Sequence, residues 1–498
     1  MKQFNNNNSK DSLLPSIQGG VGGGSVGGEA AQYIDLYREQ RDLICENSAE
    51  AMNALRDEAF EDFQRLGLPT KKVERYRYTD VPKLFAPDYG LNLRRLRIPV
   101  NPYEAFRCDV PSLSTALYFV VNDMFYKEEK PKAKLPEGVF IGSLRALAEE
   151  KTEIVSKYYG KIAKTADDAV TALNTMLAQD GLAVYVPKGV KVEKTVQVIN
   201  ILSLPLTPSK KRGNNLEGDT PPPSGGGREG ASLMLNRRVL VIVEDGASVR
   251  LLFCDHAADD RDFLTTQVVE AFVGNEASLE LYCLEETHHK NARVSNVYIE
   301  QQKGSTVKHN VITLHNGTTR NKTDVLLLGE QAECELYGCV VADKQQHVDN
   351  NTLITHRAPN CKSTELYKYV LDEQAVGAFA GRVLVEHGAQ KTDSQMRNQN
   401  LCTTREARMF TQPMLEIYAD DVKCAHGSTV GQLNDAAIFY MQQRGISRKQ
   451  ARLLLEIAFI NEVIDHIQLQ PLRDRLHYLV EKRFRGELSK CDGCKLCQ

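Results

Sequence analysis

Four stretches of one pattern decide the fold: EDGASVRL (Glu244–Leu251), GNEASLEL (Gly274–Leu281), QKGSTVKH (Gln302–His309) and GEQAECEL (Gly329–Leu336). Each opens on a turn rich in Gly, Asn or charge, passes a small residue and continues as an alternating strand. The small residues Ala247, Ala277, Ser305 and Ala332 follow one another at steps of 30, 28 and 27 residues, the self-similarity of a repeat architecture. One such unit has an apolar face it cannot bury alone, so the units must stack. A parallel β-helix and a β-sandwich both satisfy that requirement. The lack of helical periodicity between the strands argues against a doubly wound α/β fold.

Working outward, the β-rich character runs from Leu182 to about Asn434, through Ala183–Val186, Val196–Leu202, Val239–Val243 and Val268–Val273. A Pro-, Gly- and charge-rich segment, Thr207–Gly230, reads as a flexible surface insertion whose Lys210, Lys211 and Arg212 belong to a solvated loop. Residues 30–181 form a helical and mixed region. Ile34, Tyr37, Ile44, Met52, Leu55, Ala59 and Phe63 recur at three- and four-residue steps, and Gly67 with Pro69 stops the pattern. Residues 1–29, rich in Asn, Gly and Ser, read as a disordered head.

Helical periodicity returns over residues 435–486. A short helix Asp435–Gln443 ends near Gly445, Ser447 with Gln450 makes a capping box, and Pro471 opens a third helix. The middle helix has an apolar face of Ala451, Leu454, Leu455, Ala458 and Phe459, suited to sealing the end of the domain or docking a partner. Residues 487–498 form a Cys-rich tail.

Composition narrows the function. The chain has 498 residues and a formal net charge of -3, so no basic excess points to nucleic acid or an acidic membrane. No apolar run is long enough to span a bilayer, and the N-terminus lacks an apolar signal core, so a cytoplasmic location is expected. Twelve scattered Cys suit reduced thiols better than a disulfide framework. No phosphate-cradling loop, nucleophile elbow or His-Glu-x-x-His motif occurs, so ATP-driven work would need another subunit.

Two clusters could hold metal. Cys424 and His426 stand two apart and, on a strand, point to one side together with Val422. Thiolate and imidazole suit iron and sulfide, but the same pattern also fits a core-filling Val and Cys beside a hydrogen-bonded His. Asp420 and Asp421 read as turn formers. Cys491, Cys494 and Cys497 have C-x-x-C-x-x-C spacing, which lets three thiolates converge on one metal or cluster; a tail with no metal role is the other reading. Among the other histidines, His288 and His289 are adjacent and make a poor chelate, while His347 and His356 are expected to flank a turn. They and His309 and His315 read as structural or surface residues.

Several segments resemble the SufB/SufD family: QKTDSQMRNQNL (Gln390–Leu401), PMLEIYADDVKCAHGSTVGQL (Pro413–Leu433) and IFYMQQRGISRKQARLLLEIAFINEVI (Ile438–Ile464). Weaker matches in the same order are KKVERYRYTD (Lys71–Asp80), ALNTMLAQDGLAVYVPKGV (Ala172–Val190) and QHVDNNTLITHRAPNCKSTELYKYVL (Gln346–Leu371). The resemblance implies a mainly β fold, a right-handed parallel β-helix core flanked by N-terminal and C-terminal α-helical domains. It implies a non-catalytic scaffold of SUF iron–sulfur cluster assembly, with a SufB-like paralogue and a SufC-like ATPase as partners. No intrinsic cofactor is implied, only a transient iron–sulfur cluster at the SufB interface, with His426 and Cys424 at the assembly site. The C-terminal helices would receive SufC around Arg444, Gly445, Ala451, Leu455 and Phe459. Gly427 after His426, and Asn398 where SufB carries a sulfur-accepting Cys, favour SufD. A SufB-type primary scaffold, with Cys402 replacing the missing thiol, is one alternative. A β-helix polysaccharide-active enzyme is the other.

Overall fold

The computed structural model describes residues 28–95, 101–105, 116–127, 134–203, 232–257, 261–487. The expected disordered head (apart from Gly28 and Glu29), the insertion Thr207–Gly230 and the thiols Cys491, Cys494 and Cys497 lie outside the described residues.

Residues 233–431 form a parallel β-solenoid of about seven turns. Each turn contributes two strands, one to each of two facing sheets, so strands alternate between sheets along the chain. One sheet, here the first, ends with Val376–Val385 and Arg408–Ile417; the second ends with Asp393–Cys402 and Lys423–Gly431. Upstream, Leu117–Val121 and Val196–Leu202 extend the second sheet, and Phe140–Ser143 and Leu182–Val186 the first.

The sequence repeat is the register of this stack. Ser248, Ser278, Thr306 and Glu333 pair in succession. The small residue before each pairing position is buried, as Ala247, Ala277, Ser305 and Ala332 show, and the same row continues at Cys361 and Thr392. The residue before each of these has a positive φ: Gly246 64°, Glu276 52°, Gly304 63°, Gln331 61°, Asn360 61° and Lys391 61°. A tight corner needs that left-handed step, and only two of the six positions carry the glycine that adopts it without strain. The solenoid interior is a ladder of like positions, Val249, Leu279, Val307 and Cys334 in one row and Leu251, Leu281 and Leu336 in the next, all in one apolar cluster.

The N-terminal helices Gly28–Glu46, Arg56–Leu66 and Ala169–Leu177 pack on the outer face of the first sheet against Met234, Leu264 and Val294. Gly67, at φ 60°, ends the second of these where the sequence placed its stop. At the other end, Asp435–Gln443, Arg448–Ile464 and Gln470–Arg485 are helical, and the Ser447–Gln450 capping box is formed. Ile460, Val463, Ile464, Leu472 and Leu476 cover Tyr282, Ile312, Tyr337 and Leu366 on the outside of the second sheet. These helices therefore cover the flank of the solenoid; the expectation that they seal its end is corrected. No described helix is long and apolar enough to cross a membrane.

A second correction concerns His347 and His356. They are the first and last residues of one strand, not neighbours across a turn. Nine strand steps separate them by roughly 30 Å, so they form no chelate.

Candidate functional site

The solenoid stops at Lys423–Gly431, which pairs with Asp393–Cys402 on one side and is the edge of its sheet on the other. Arg408–Ile417 is likewise the edge of the first sheet. Both sheets thus end in the same turn with unpaired backbone N–H and C=O groups. An exposed edge of this kind is a template for another strand. Large apolar side chains stand exposed on this turn: Phe410, Ile417, Tyr418 and Val430.

Register places the candidate residues on this edge. Cys424 pairs with Ser394, which pairs with Ser363 and then Cys334. His426 pairs with Met396, which pairs with Glu365 and then Leu336. Both rows belong to the solenoid interior, where Cys334, Leu336 and Met396 are buried in the core cluster. Cys424 and His426 continue these rows into the last turn. Val422 and Cys424 still pack against the core, half-buried, while His426 is exposed. Burial pushes the Cys424 thiol above its ordinary value, and a backbone contact at Ser394 pulls the other way.

Polar groups line the rest of this mouth. The hydroxyls of Ser428 and Thr411 meet at 2.6 Å, joining the two edge strands. Beneath them Asn398 and Asn400 bond to one another, and Asn398 Nδ2 donates to the Tyr367 carbonyl. Asn398 is fully buried in the penultimate turn. Cys402 is buried at the far end of that strand, with burial raising its thiol. Asp421 takes part in the corner, its carbonyl accepting from the Lys391 N–H. Ser428 and Thr411 escaped the sequence reading; their signal was the alternation that puts Ser428 on the face of Cys424 and His426.

The other histidines go elsewhere. His309 is sealed in the interior, and burial lowers its imidazole to about 4. His289 and His315 line a surface groove of about 860 Å³ along the stacked corners, with Lys344 and Glu373. The Cys and His rows do not reach this groove. Among the described residues no group of three or more His, Cys, Asp or Glu is placed to hold a metal ion.

The expected docking residues divide by exposure. Arg444 is exposed with its guanidinium 4.5 Å from the Tyr440 ring centre, and Gly445 turns the chain at φ 85°. Ala451 is fully buried, Leu455 half-buried, and Phe459 half-buried under the Lys368 ammonium. The outward apolar surface is instead Phe439, Tyr440 and Leu454.

The parallel β-solenoid thus ends in a turn that carries a thiol and an imidazole on adjacent interior rows. Comparison with known proteins gives it a family. Residues 28–198 match the SufBD protein N-terminal region, and residues 227–459 the SufBD core domain of SUF system FeS cluster assembly. An iron–sulfur cluster assembly SufBD family protein of Synechocystis is 27% identical over 434 residues, 84% of this chain and 88% of that protein. The chloroplastic protein ABCI7 of Arabidopsis thaliana is 26% identical over 435 residues, 86% of this chain and 85% of its own. The iron-sulfur cluster assembly protein SufD of Escherichia coli is 34% identical over 173 residues, 35% of this chain and 41% of SufD. The chain belongs to the SufBD family of SUF iron–sulfur cluster assembly proteins.

Proposed function

We propose that the chain is a SufD-type accessory scaffold, non-catalytic and cytoplasmic, which pairs through its last solenoid turn with a SufB-like paralogue. The observation that carries this reading is His426: it occupies an interior row of the solenoid yet is exposed, because no further turn covers it. A second solenoid edge added to Arg408–Ile417 and Lys423–Gly431 would satisfy the free backbone groups and cover Phe410 and Val430. It would also enclose Cys424 and His426. Two donors are fewer than the four ligands an iron–sulfur cluster takes, so the transient cluster, the cargo of this machine, draws its remaining ligands from the partner. Gly427 and Asn398 support SufD over SufB as the type.

The second part of the proposal is docking of a SufC-like ATPase on the C-terminal helices. Phe439, Tyr440, Arg444, Gly445 and Leu454 are its surface, with Ala451, Leu455 and Phe459 holding the helix in place. The tail thiols Cys491, Cys494 and Cys497 are proposed as a separate metal-binding group.

The test is His426→Ala in the complex reconstituted with the paralogue and the ATPase, with iron and acid-labile sulfide measured anaerobically. Loss of cluster with the complex intact supports the reading; a wild-type yield removes His426 from it.

A further inference from the structure

The motif KKVERYRYTD has no part in the site, yet it is anchored more heavily than any surface loop needs. Residues Glu74–Thr79 lie across the outer face of the first sheet and between them touch each of its last four strands. Arg75 forks onto Asp324 at 2.6 and 2.9 Å and donates to Asn351 at 2.8 Å. Thr79 donates to Asp349 at 2.7 Å and meets His347 at 3.1 Å. Tyr76 donates to Asp168 at 2.6 Å, and the Arg320 guanidinium lies 3.8 Å from its ring centre. Glu74 accepts from Arg382 at 3.2 Å. Tyr78 reaches the edge strand itself: it stacks on Phe410 with ring centres 5.1 Å apart and planes at 19°, and its hydroxyl donates to Gln412 at 3.2 Å.

The anchoring is graded. Arg75, Tyr76 and Thr79 are fixed by charge and burial to interior strands, whereas Tyr78 is the segment's direct contact with Arg408–Ile417, beside the Arg382–Glu416 ion pair at 3.4 Å. That strand has a neighbour on one side only, so its outer face needs a second restraint to keep a fixed twist. Phe410 and Gln412 are both outward residues of it, alternating with the inward Met409 and Thr411.

We propose that residues 74–79 form a strap and that Tyr78 is a positioning residue for assembly: it sets the edge strand Arg408–Ile417 in the conformation that the paralogue's edge strand pairs with. This rests on the pairing reading above. With the edge preset, a partner strand meets an ordered template and loses less conformational freedom on binding. Tyr78 also covers one face of Phe410, leaving the other face for an apolar side chain of the partner.

The experiment compares full-length wild type, Tyr78→Ala, Tyr78→Phe and Val430→Glu. It measures affinity for the SufB-like paralogue and amide exchange in each strand of the free chain. Tyr78→Ala is expected to speed exchange of Arg408–Ile417 about tenfold, leave Val376–Val385 unchanged and weaken pairing about tenfold. Tyr78→Phe keeps the ring stack and is expected to weaken pairing no more than about threefold. Val430→Glu alters the neighbouring edge strand without touching the strap, and is expected to abolish pairing. Wild-type pairing by Tyr78→Ala, with Val430→Glu defective, overturns the strap alone. Wild-type pairing by Val430→Glu overturns the edge reading beneath it. Should Tyr78→Ala speed exchange throughout the solenoid, Tyr78 is a general stabiliser and the proposal fails.

Discussion

His309 and His426 stand in one row of the solenoid, linked through Leu336, Glu365 and Met396, and have opposite surroundings. His309 is 1% exposed, with Nδ1 against the Leu281 carbonyl and its imidazole lowered to about 4 by burial. His426 is exposed on the last strand. Cys334 and Cys424 repeat the contrast in the adjacent row: the first fully buried with its thiol pushed far up, the second half-buried at the edge. The same residue type in the same register is core filling where another turn covers it and accessible where none does. Under the proposed function, being last in the stack is what frees these two side chains.

That contrast can be broken by swapping the roles of the two ends. Leu336→Ala, in the sealed part of the His row, is expected to lower unfolding stability by about 3 kcal/mol through lost transfer energy and a cavity. His426→Ala should leave the thermal midpoint unchanged, because its ring fills no enclosed space. Thermal or denaturant unfolding of both variants checks this.

Acid sharpens it further. A neutral buried imidazole has a folded-state value below its unfolded 6.5, so the unfolded chain binds the extra proton first. The contribution of His309 is therefore complete above about pH 6.5 and is lost as pH falls toward 4. Its loss amounts to at most ~3 kcal/mol. His309→Leu, which matches its row neighbours Leu281 and Leu336, should make the slope between pH 6.5 and 4 shallower, leaving the shares of His256 and His356, which burial also lowers to about 4. A wild-type pH slope in that variant would refute the assignment.

Thiol labelling separates the two cysteines by a smaller margin. Cys424 should react with iodoacetamide in the native chain about tenfold faster than Cys334, and faster again as pH rises toward 9. Peptide mapping after timed quenching reads both sites. The smallest effect belongs to the hydroxyl pair that joins the edge strands: Ser428→Ala should cost about 1 kcal/mol.

Much of the architecture was legible because stacking forces periodicity. Ala247, Ala277, Ser305 and Ala332 must be small to fit the corners, and their spacing is the strand register itself. The repeat faded further along because the small-residue row continues as Cys361 and Thr392 in place of Ala or Ser, while the positive-φ corner persists at Asn360 and Lys391. The face shared by Val422, Cys424 and His426 was also readable from alternation. What alternation does not encode is where the stack ends, so sequence left core filling and ligation as equal readings of Cys424. The helices were read correctly as helices, but amphipathicity does not say which surface an apolar face covers. Ile460 and Leu476 cover the flank, where Tyr282 and Tyr337 supply the matching apolar patch. The motif around Tyr78 was recognised without a role because its partners, Asp324 and Phe410, lie hundreds of positions downstream.

Amide hydrogen exchange over Lys423–Gly431, in the free chain and in its complex with the SufB-like paralogue, tests the open turn most directly. The account predicts fast exchange at the edge-facing amides when free and strong protection in the complex, with Ser278–Glu286 unchanged throughout. A complex that forms while those edge amides exchange as fast as before would contradict it.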